Sequence, residues 1–488
     1  MKRTDWAEDV NLTMLTDFYE LTMANGYFEH GLKDRIAVFD MFFRKVPDDG
    51  GFAIMAGLEQ LITYLKNLKF EEEDIAFLRS KGIFCEEFLQ YLSEFTFCCD
   101  VWAVEEGTPI FPQEPVVIVR GPVIQAQFVE TMVLLSINHQ SLIATKANRI
   151  VRAAQGRAVM EFGSRRAQGS HGAIMGARAA YIGGCVGTAC AICEQYYQIP
   201  ALGTMAHSWV QMFDSEYEAF ATYARLYPDG CVLLVDTYNV TKSGVPNAIK
   251  VFDEVLKPLG KRPKGIRIDS GDIAYLSKKA RKMLDEAGYE DCPICASNSL
   301  DEYIVRDLIL QEAKIDSFGI GENLITAKSD PVFGGVYKLA AVKEGDSYIP
   351  KIKVSESVEK ITLPCLKKVW RIYDNYTRKA MADYVAVYDE EVGEHEELTL
   401  FDPNQTWKQR TYKNCTVKCL TTPIYKEGKL VYDRPTVTEI RTACAEQVEN
   451  LWEEMRRFEY PHRYYVDYSR KLWECRQELL TQISRMGQ

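Results

Sequence analysis

His207 is one of only six histidines in the 488-residue chain, and it stands in the run Gly203-Thr204-Met205-Ala206-His207-Ser208, just after a short apolar stretch. An imidazole in that place can carry protons or act as a nucleophile, or it can be a hydrogen-bonded residue of the core. Asp269-Ser270-Gly271-Asp272 offers two carboxylates around a hydroxyl and a glycine. Such a group suits ribose hydroxyls, the waters of a bound Mg2+ or a developing cation, and either Asp can equally cap a following helix. Positive charge recurs as Arg165-Arg166, Arg267 and Lys338, each expected at a strand end. A guanidinium grips a carboxylate or phosphate through two parallel hydrogen bonds, although Arg also pairs with structural Asp and Glu. Gly319-Ile320-Gly321 and Gly334-Gly335 would let backbone N–H groups approach a phosphate. Neither completes a Walker A loop or a G-x-G-x-x-G fingerprint.

These residues follow a rhythm in which short apolar, β-branched runs end abruptly in polar residues. The runs are 158–162 leading to Gly163-Ser164-Arg165-Arg166, 201–204 to His207-Ser208, 232–235 to Asp236-Thr237, 266–268 to Asp269, 293–296 to Ser297-Asn298, and 315–318 to Gly319-Ile320-Gly321. The gaps carry helical patterns, as at 273–288 and 300–313. Strands alternating with helices argue for parallel βαβ units. Chemistry at six C-terminal strand ends favours a (β/α) barrel over a doubly wound sheet, which binds through one or two loops.

The expected fold is therefore α/β, with an irregular (β/α) barrel at 136–350 as the catalytic domain. An N-terminal α/β domain at 1–135 precedes it, with helices at 58–68 and 74–80 and Pro/Val-rich strands at 109–123. A charged crossover and a C-terminal α+β extension at 351–488 follow, ending in a charged helical stretch at 446–486. About three domains also suit the length, at roughly 150 residues each.

Composition excludes several classes. With 47% hydrophobic and 26% charged residues, the chain can bury a core and is not disordered. A net charge of -11 argues against nucleic acid or anionic membrane as partners, so any anionic ligand needs a local Arg/Lys cluster. The opening Met1-Lys2-Arg3-Thr4-Asp5 leads into no apolar core, and the weakly polar stretch 179–193 is too short and Gly-rich to span a bilayer. No secretory signal and no membrane span are expected. Fourteen cysteines include two C-x-x-C pairs, Cys190/Cys193 and Cys292/Cys295. Being far apart in sequence, they are expected to be buried free thiols rather than zinc or redox centres, in a cytoplasmic protein.

The run Leu15-Thr16-Asp17-Phe18-Tyr19-Glu20-Leu21-Thr22-Met23-Ala24 resembles the opening signature of nicotinate phosphoribosyltransferases. Further matches follow in family order: Phe162-Gly163-Ser164-Arg165-Arg166-Ala167-Gln168-Gly169, Gly203 to Ser208, Val235-Asp236-Thr237-Tyr238, Ile266 to Asp272, Phe318-Gly319-Ile320-Gly321 and Gly334-Gly335-Val336-Tyr337-Lys338-Leu339. The likeness is close over residues 11–364 and looser beyond. It implies a TIM-like, type II phosphoribosyltransferase that joins nicotinate to phosphoribosyl pyrophosphate (PRPP). The products would be nicotinate mononucleotide and pyrophosphate, for NAD biosynthesis. It further implies Mg2+ as cofactor and ATP as co-substrate, hydrolysed through a phosphohistidine at His207.

The resemblance also implies roles. Tyr19 would stack on the pyridine ring, delivered by a neighbouring subunit of a head-to-tail homodimer with shared active sites. Arg165, Thr204 and Arg267 would surround nicotinate. Asp236 and Asp269 would hold the ribose and stabilise the cation developing at C1, while Asn298, Gly319 and Gly321 cradle the 5′-phosphate. Asp17, Arg166 and Glu322 complete the PRPP contacts, and His207, Asp269 and Arg267 form the catalytic group. Glu322 departs from the family, which places a small hydroxyl residue there, so it is expected to face away or to bind through Mg2+. A nicotinamide phosphoribosyltransferase and a non-catalytic pyridine-nucleotide sensor stay open as alternatives.

Overall fold

The computed structural model describes residues 11–357, 360–392 and 397–486. They form two compact units: the described residues of Met1–Leu142, Val332–Pro435 and Thr442–Gln488, and those of Ile143–Pro331 and Thr436–Arg441. Along the chain, helix α1 (Phe18–Glu29) leads to strands β1 (Ile36–Phe42), β2 (Asp100–Val104) and β3 (Val117–Pro122), with helices Leu58–Asn67 and Glu72–Ser80 between β1 and β2. Helix α2 (Glu130–Ala153) carries the chain into the second unit. There follow β4 (Ala158–Glu161), α3 (Gly169–Ile182), β5 (Gly187–Thr188), β6 (Val232–Leu234), β7 (Gly265–Ile268), α4 (Ile273–Glu286), β8 (Ile294–Asn298), α5 (Glu302–Leu310) and β9 (Ser317–Ile320). The chain returns to the first unit through β10 (Val336–Glu344), β11 (Ser347–Pro350), β12 (Lys367–Asp374), β13 (Ala380–Val387), β14 (Cys415–Cys419) and β15 (Thr421–Lys426). Helix α6 (Val437–Glu449), strand β16 (Val466–Tyr468) and helix α7 (Arg470–Met486) close the described chain.

The first unit holds an antiparallel sheet in the order β11-β10-β1-β3-β2-β15, extended by Lys429–Leu430, and a second sheet in the order β14-β12-β13-β16. Strand β1 is buried along nearly all its length, which its apolar run permits except at Asp40. That carboxylate meets the Lys367 ammonium at 2.5 Å, and the same ammonium donates to the carbonyls of Leu363, Pro364 and Cys365. In the second sheet Arg371 of β12 donates to both oxygens of Asp383 on β13, at 2.7 and 2.6 Å, and to the Pro109 carbonyl at 2.8 Å. Buried charges persist only when paired and hydrogen-bonded in this way.

The second unit carries a parallel sheet in the order β5-β4-β9-β8-β7-β6. Counted from β6, neighbours run β6, β7, β8, β9 and then β4, β5, which is chain order cut once. The connecting helices show why they form. Helix α4 buries Ile273, Ala274, Ser277, Ala280 and Leu284 at three- and four-residue spacing, and the Asp272 carboxylate accepts from Tyr275 N at 3.0 Å. Asp272 is thus a helix cap, and the Asp301 carboxylate caps α5 likewise.

Two expectations need correction. The strand expected at 201–204 reduces to one bridging residue, Ala201, beside Thr188. The sheet instead takes in β5, two residues inside a Gly/Ala-rich stretch that shows no strand periodicity. The helical stretch expected over 446–486 is broken: α6 ends at Glu449, a short turn spans Glu453–Arg456, and β16 pairs in parallel with β13 before α7 begins. Pro461 lacks the N–H a continuing helix needs, and the apolar Tyr464-Tyr465-Val466 run then joins the sheet edge. Among the described residues no helix is long and apolar enough to cross a membrane.

Candidate active site

Parallel strands place all their C-terminal ends on one edge of a sheet, and in the second unit that edge is where the polar residues collect. Arg267, on β7, is the hub. Its Nε donates to Ser297 Oγ at 2.7 Å, one terminal nitrogen to Thr204 Oγ1 at 3.3 Å, and the other to Asp269 Oδ1 at 2.9 Å. The guanidinium also lies over the Phe162 ring, 5.4 Å from its centroid. Ser297 at the end of β8 donates to the same Asp269 oxygen. Asp236, just after β6, accepts from Asp269 N at 3.1 Å and from Ser270 Oγ at 2.6 Å through one oxygen. Its other oxygen is buried without a hydrogen-bond partner among the described residues. His207 completes the group: Nδ1 lies 3.1 Å from Thr237 Oγ1, and Nε2 lies 3.9 Å from Asp269 Oδ2. Arg267, Asp269, Asp236, Ser297, Thr204 and His207 are therefore one cluster, drawn from the ends of β6, β7 and β8 and the segment after Ala201.

A second cluster forms where β4 and β9 end side by side. Glu161, the last residue of β4, is buried; it accepts from Gly163 N and from Thr188 Oγ1 at 2.6 Å, and burial raises its pKa. Gly319 has a packing reason to be glycine, since a Cβ there would meet the Phe162 ring at 2.5 Å. At Gly163 a Cβ would meet the Gly321 carbonyl and Ile325, each at 2.7 Å. Those two glycines allow the loops after β4 and β9 to touch. On the turn Ser164–Arg166, Arg165 and Arg166 are exposed, and the Ser164 hydroxyl is buried with no partner among the described residues. Glu322 neither faces away nor stands alone: Lys328 Nζ lies 2.8 Å from one oxygen and Arg166 Nε 4.0 Å from the other. The Lys328 hydrogen bond lowers its pKa. Asn298 ends β8 with φ at 118°, a conformation that costs free energy in a non-glycine residue and is found preferentially at functional sites.

Three of the sequence's candidates belong to the first unit instead. Asp17 is the N-cap of α1, and its backbone N–H donates to Thr131 Oγ1 at 3.1 Å. Tyr19 lies on α1, 45% exposed, its hydroxyl pKa pushed up to about 12 by burial and by the nearby Glu130. Lys338 does not end a strand of the parallel sheet: it lies inside β10, opposite Asp40 on β1, with Glu130 at 3.7 Å. The sequence reading passed over Ser164, Thr237, Glu161 and Lys328. For the first three the only signal is adjacency to a strand end already singled out; Lys328, well past the end of β9, carries none.

Metal-binding groups are sparse. Among the described residues no three His, Cys, Asp or Glu side chains gather as a metal site. All cysteines, including both C-x-x-C pairs, are free thiols.

The family model for the nicotinate phosphoribosyltransferase N-terminal domain matches residues 14–138, the family model proper 157–355, and the C-terminal domain model 366–476. Nicotinate phosphoribosyltransferase of Bacillus subtilis is 41% identical over 478 residues, covering 98% of this chain and 96% of its own. The chain belongs to the nicotinate phosphoribosyltransferase family. A crystal structure of human nicotinic acid phosphoribosyltransferase matches with a TM-score of 0.85 at 28% identity, over 95% of this chain and 99% of that one. The nicotinate-nucleotide pyrophosphorylase of Pyrococcus furiosus shares the fold at a TM-score of 0.70 and 23% identity, over 92% of this chain and 99% of that one.

Proposed function

We propose that this chain joins nicotinate to PRPP, forming nicotinate mononucleotide and pyrophosphate in the salvage route to NAD, and that ATP hydrolysis is coupled to the reaction through phosphorylation of His207. The observation that carries the reading is the convergence of Arg267, Asp269, Asp236, Thr204 and His207 on one sheet edge, in a chain of this family.

The geometry around Arg267 supports the roles given to these residues. Arg267 is held by Thr204, Ser297 and Asp269 and backed by Phe162, so its guanidinium is oriented before a ligand arrives. It offers charge to the nicotinate carboxylate, with Thr204 hydrogen-bonded to it and Arg165 to reach in from the exposed turn after β4. Asp269 and Asp236 face the ribose. As the bond from C1 to pyrophosphate weakens, positive charge grows on the sugar, and fixed carboxylates stabilise it in the transition state more than in the ground state. The pyridine nitrogen then attacks C1. Asn298, Gly319 and Gly321 take the 5′-phosphate, with Arg166 supplying charge and Glu322 at the margin of the PRPP site; Asp17 is kept as a PRPP contact on the family resemblance alone.

Thr237 supports the histidine role. With the proton on Nδ1 shared with Thr237, the lone pair of Nε2 is free to accept a phosphoryl group. Asp269 beside Nε2 would stabilise the positive ring that results. The unpartnered Asp236 oxygen fits Mg2+ held through water, as this ion is usually bound by one or two carboxylates plus substrate phosphates. When bound, Mg2+ would neutralise the departing pyrophosphate; Asp236 and Asp269 are the residues to hold it.

The reading includes a closed, irregular, TIM-like barrel at 136–350, flanked by segments 1–135 and 351–488. Support comes from the cyclic strand order. It also includes a head-to-tail homodimer in which α1 of one copy brings Tyr19 to the other. Leu15, Phe18, Tyr19 and Met23, all more than a third exposed on or beside α1, supply an apolar face for that contact. The cytoplasm is the proposed setting, because free thiols persist in a reducing compartment. The test is product formation from PRPP and Mg2+ with nicotinate or nicotinamide, each with and without ATP. Mononucleotide from nicotinate, faster with ATP and accompanied by ADP, is expected. Turnover of nicotinamide alone would move the substrate, and no turnover of either would contradict the enzymatic reading.

A further inference from the structure

The two C-x-x-C pairs draw attention in the sequence, yet another pair of thiols is in contact that no local motif announces. Cys365, just before β12, and Cys475, on α7, are 110 residues apart with sulfur atoms 3.5 Å apart. Both are partly exposed, so a small oxidant can reach them. Cys365 sits where three features of the first unit meet. Its backbone N–H donates to the Ala340 carbonyl on β10 at 2.9 Å, and its own carbonyl accepts from the buried Lys367 ammonium at 2.6 Å. That ammonium in turn pairs with Asp40 of β1. The Cys365 side of the pair is thereby fixed to the seven-stranded sheet, whereas Cys475 rides on the chain's last helix.

We propose that Cys365 and Cys475 are an oxidisable dithiol, whose closure to a disulfide fastens helix α7 to the end of the crossover and, through it, to the seven-stranded sheet. The sulfur atoms need only approach to bonding distance, about 2.05 Å, which side-chain rotation and a small helix shift supply. A hydroperoxide is the oxidant. The Cys475 thiolate attacks one peroxide oxygen, breaking the O–O bond and leaving a sulfenic acid; the departing oxygen takes a proton and leaves as water from hydrogen peroxide. Cys365 sulfur then attacks the Cys475 sulfur, its proton leaving with the expelled hydroxyl as a second water. Two thiols have lost two electrons, and the peroxide has gained them. Cys475 suits the first attack: the hydrogen bond from Cys365 lowers its thiol to about 7, with Lys367 adding to the effect, while Cys365 is raised by the same contact. The other cysteines with resolved shifts are raised, chiefly by burial.

The full chain, treated with hydrogen peroxide, denatured and alkylated, tests this. Two fewer alkyl groups than the 14 of the reduced chain are expected, with a non-reduced peptide map joining Cys365 to Cys475 and a reducing agent restoring both. The oxidised chain is expected to melt a few degrees above the reduced one, because a long loop is closed. C475S should keep all its remaining thiols alkylatable under the same treatment, whereas C365S should form no linkage and stop at a sulfenic acid on Cys475 that a dimedone probe traps; the alanine variants replace either serine form should it fold poorly. Linkage of Cys190 to Cys193 instead, accumulation of sulfinic acid at Cys475, no linkage, or an oxidised chain that melts no higher than the reduced one would each overturn the proposal.

Discussion

Arg371 with Asp383 and Arg267 with Asp269 are the same chemical pair put to opposite uses. The first is almost wholly removed from water and closely bonded: two parallel hydrogen bonds join the side chains, the Pro109 carbonyl takes another N–H, and Tyr464 donates to Asp383 at 3.0 Å. The second is 15% and 30% exposed, makes one hydrogen bond instead of two, and spends its other N–H groups on hydroxyls of Ser297 and Thr204. Hydroxyls yield to a stronger acceptor; a buried carboxylate does not. A closely bonded, doubly hydrogen-bonded pair is architecture; the looser pair beside an unpartnered Asp236 oxygen is the one our proposal assigns to the ligand.

The contrast can be broken from either side, the largest effect being on the buried pair. Arg371→Ala leaves Asp383 as an uncompensated buried charge, and should cost about 3–5 kcal/mol of stability in urea denaturation. Arg267→Ala should leave the urea midpoint nearly unchanged but lower kcat/KM for nicotinate on the order of 100-fold, the loss of a charge-assisted contact to a carboxylate. If the two variants exchanged phenotypes, the distinction would fail.

A smaller effect separates the cations near Glu322. Lys328 and Arg166 share that carboxylate as an internal counter-ion, so Glu322→Gln should lower KM for PRPP a few-fold while Lys328→Met raises it. Both effects should shrink as salt is added, since these groups are solvent-exposed. Equal KM values across the set would place the group away from PRPP. The smallest effect concerns pH. Burial lifts Glu20 from 4.5 to about 7, against hydroxyl donation from Thr16 and Thr131. A raised folded-state pKa means a contribution present at low pH and lost as pH climbs through that value. Glu20→Gln should therefore gain on the parent in melting temperature between pH 4.5 and 7 and run parallel to it outside that window.

Much of this was legible in the sequence for a definite reason. Parallel strands such as Ile266-Arg267-Ile268 are buried in short β-branched runs, and the chain must place ligand-facing residues directly after them, so the runs and the chemistry mark each other. β5 escaped because two residues in a Gly/Ala-rich stretch have no period to read. Lys338 looked like another strand end because sequence marks a strand's limits and not the sheet it joins; in the structure it lies within β10 of the antiparallel sheet. Ser297, Thr237 and Ser164 were invisible as functional groups, since a loop hydroxyl in sequence does not reveal whether it faces water or a guanidinium. Cys365 and Cys475 make the same point over distance: no spacing in the sequence marks the two thiols that the fold brings to 3.5 Å.

The most direct measurement is the fate of phosphate from ATP. The full chain, incubated with Mg2+ and radiolabelled ATP, should take up label that is acid-labile and base-stable, and peptide mapping should place it on His207; His207→Ala should remain unlabelled and lose the acceleration by ATP. Label on another residue, or ATP stimulation that survives His207→Ala, would contradict the account.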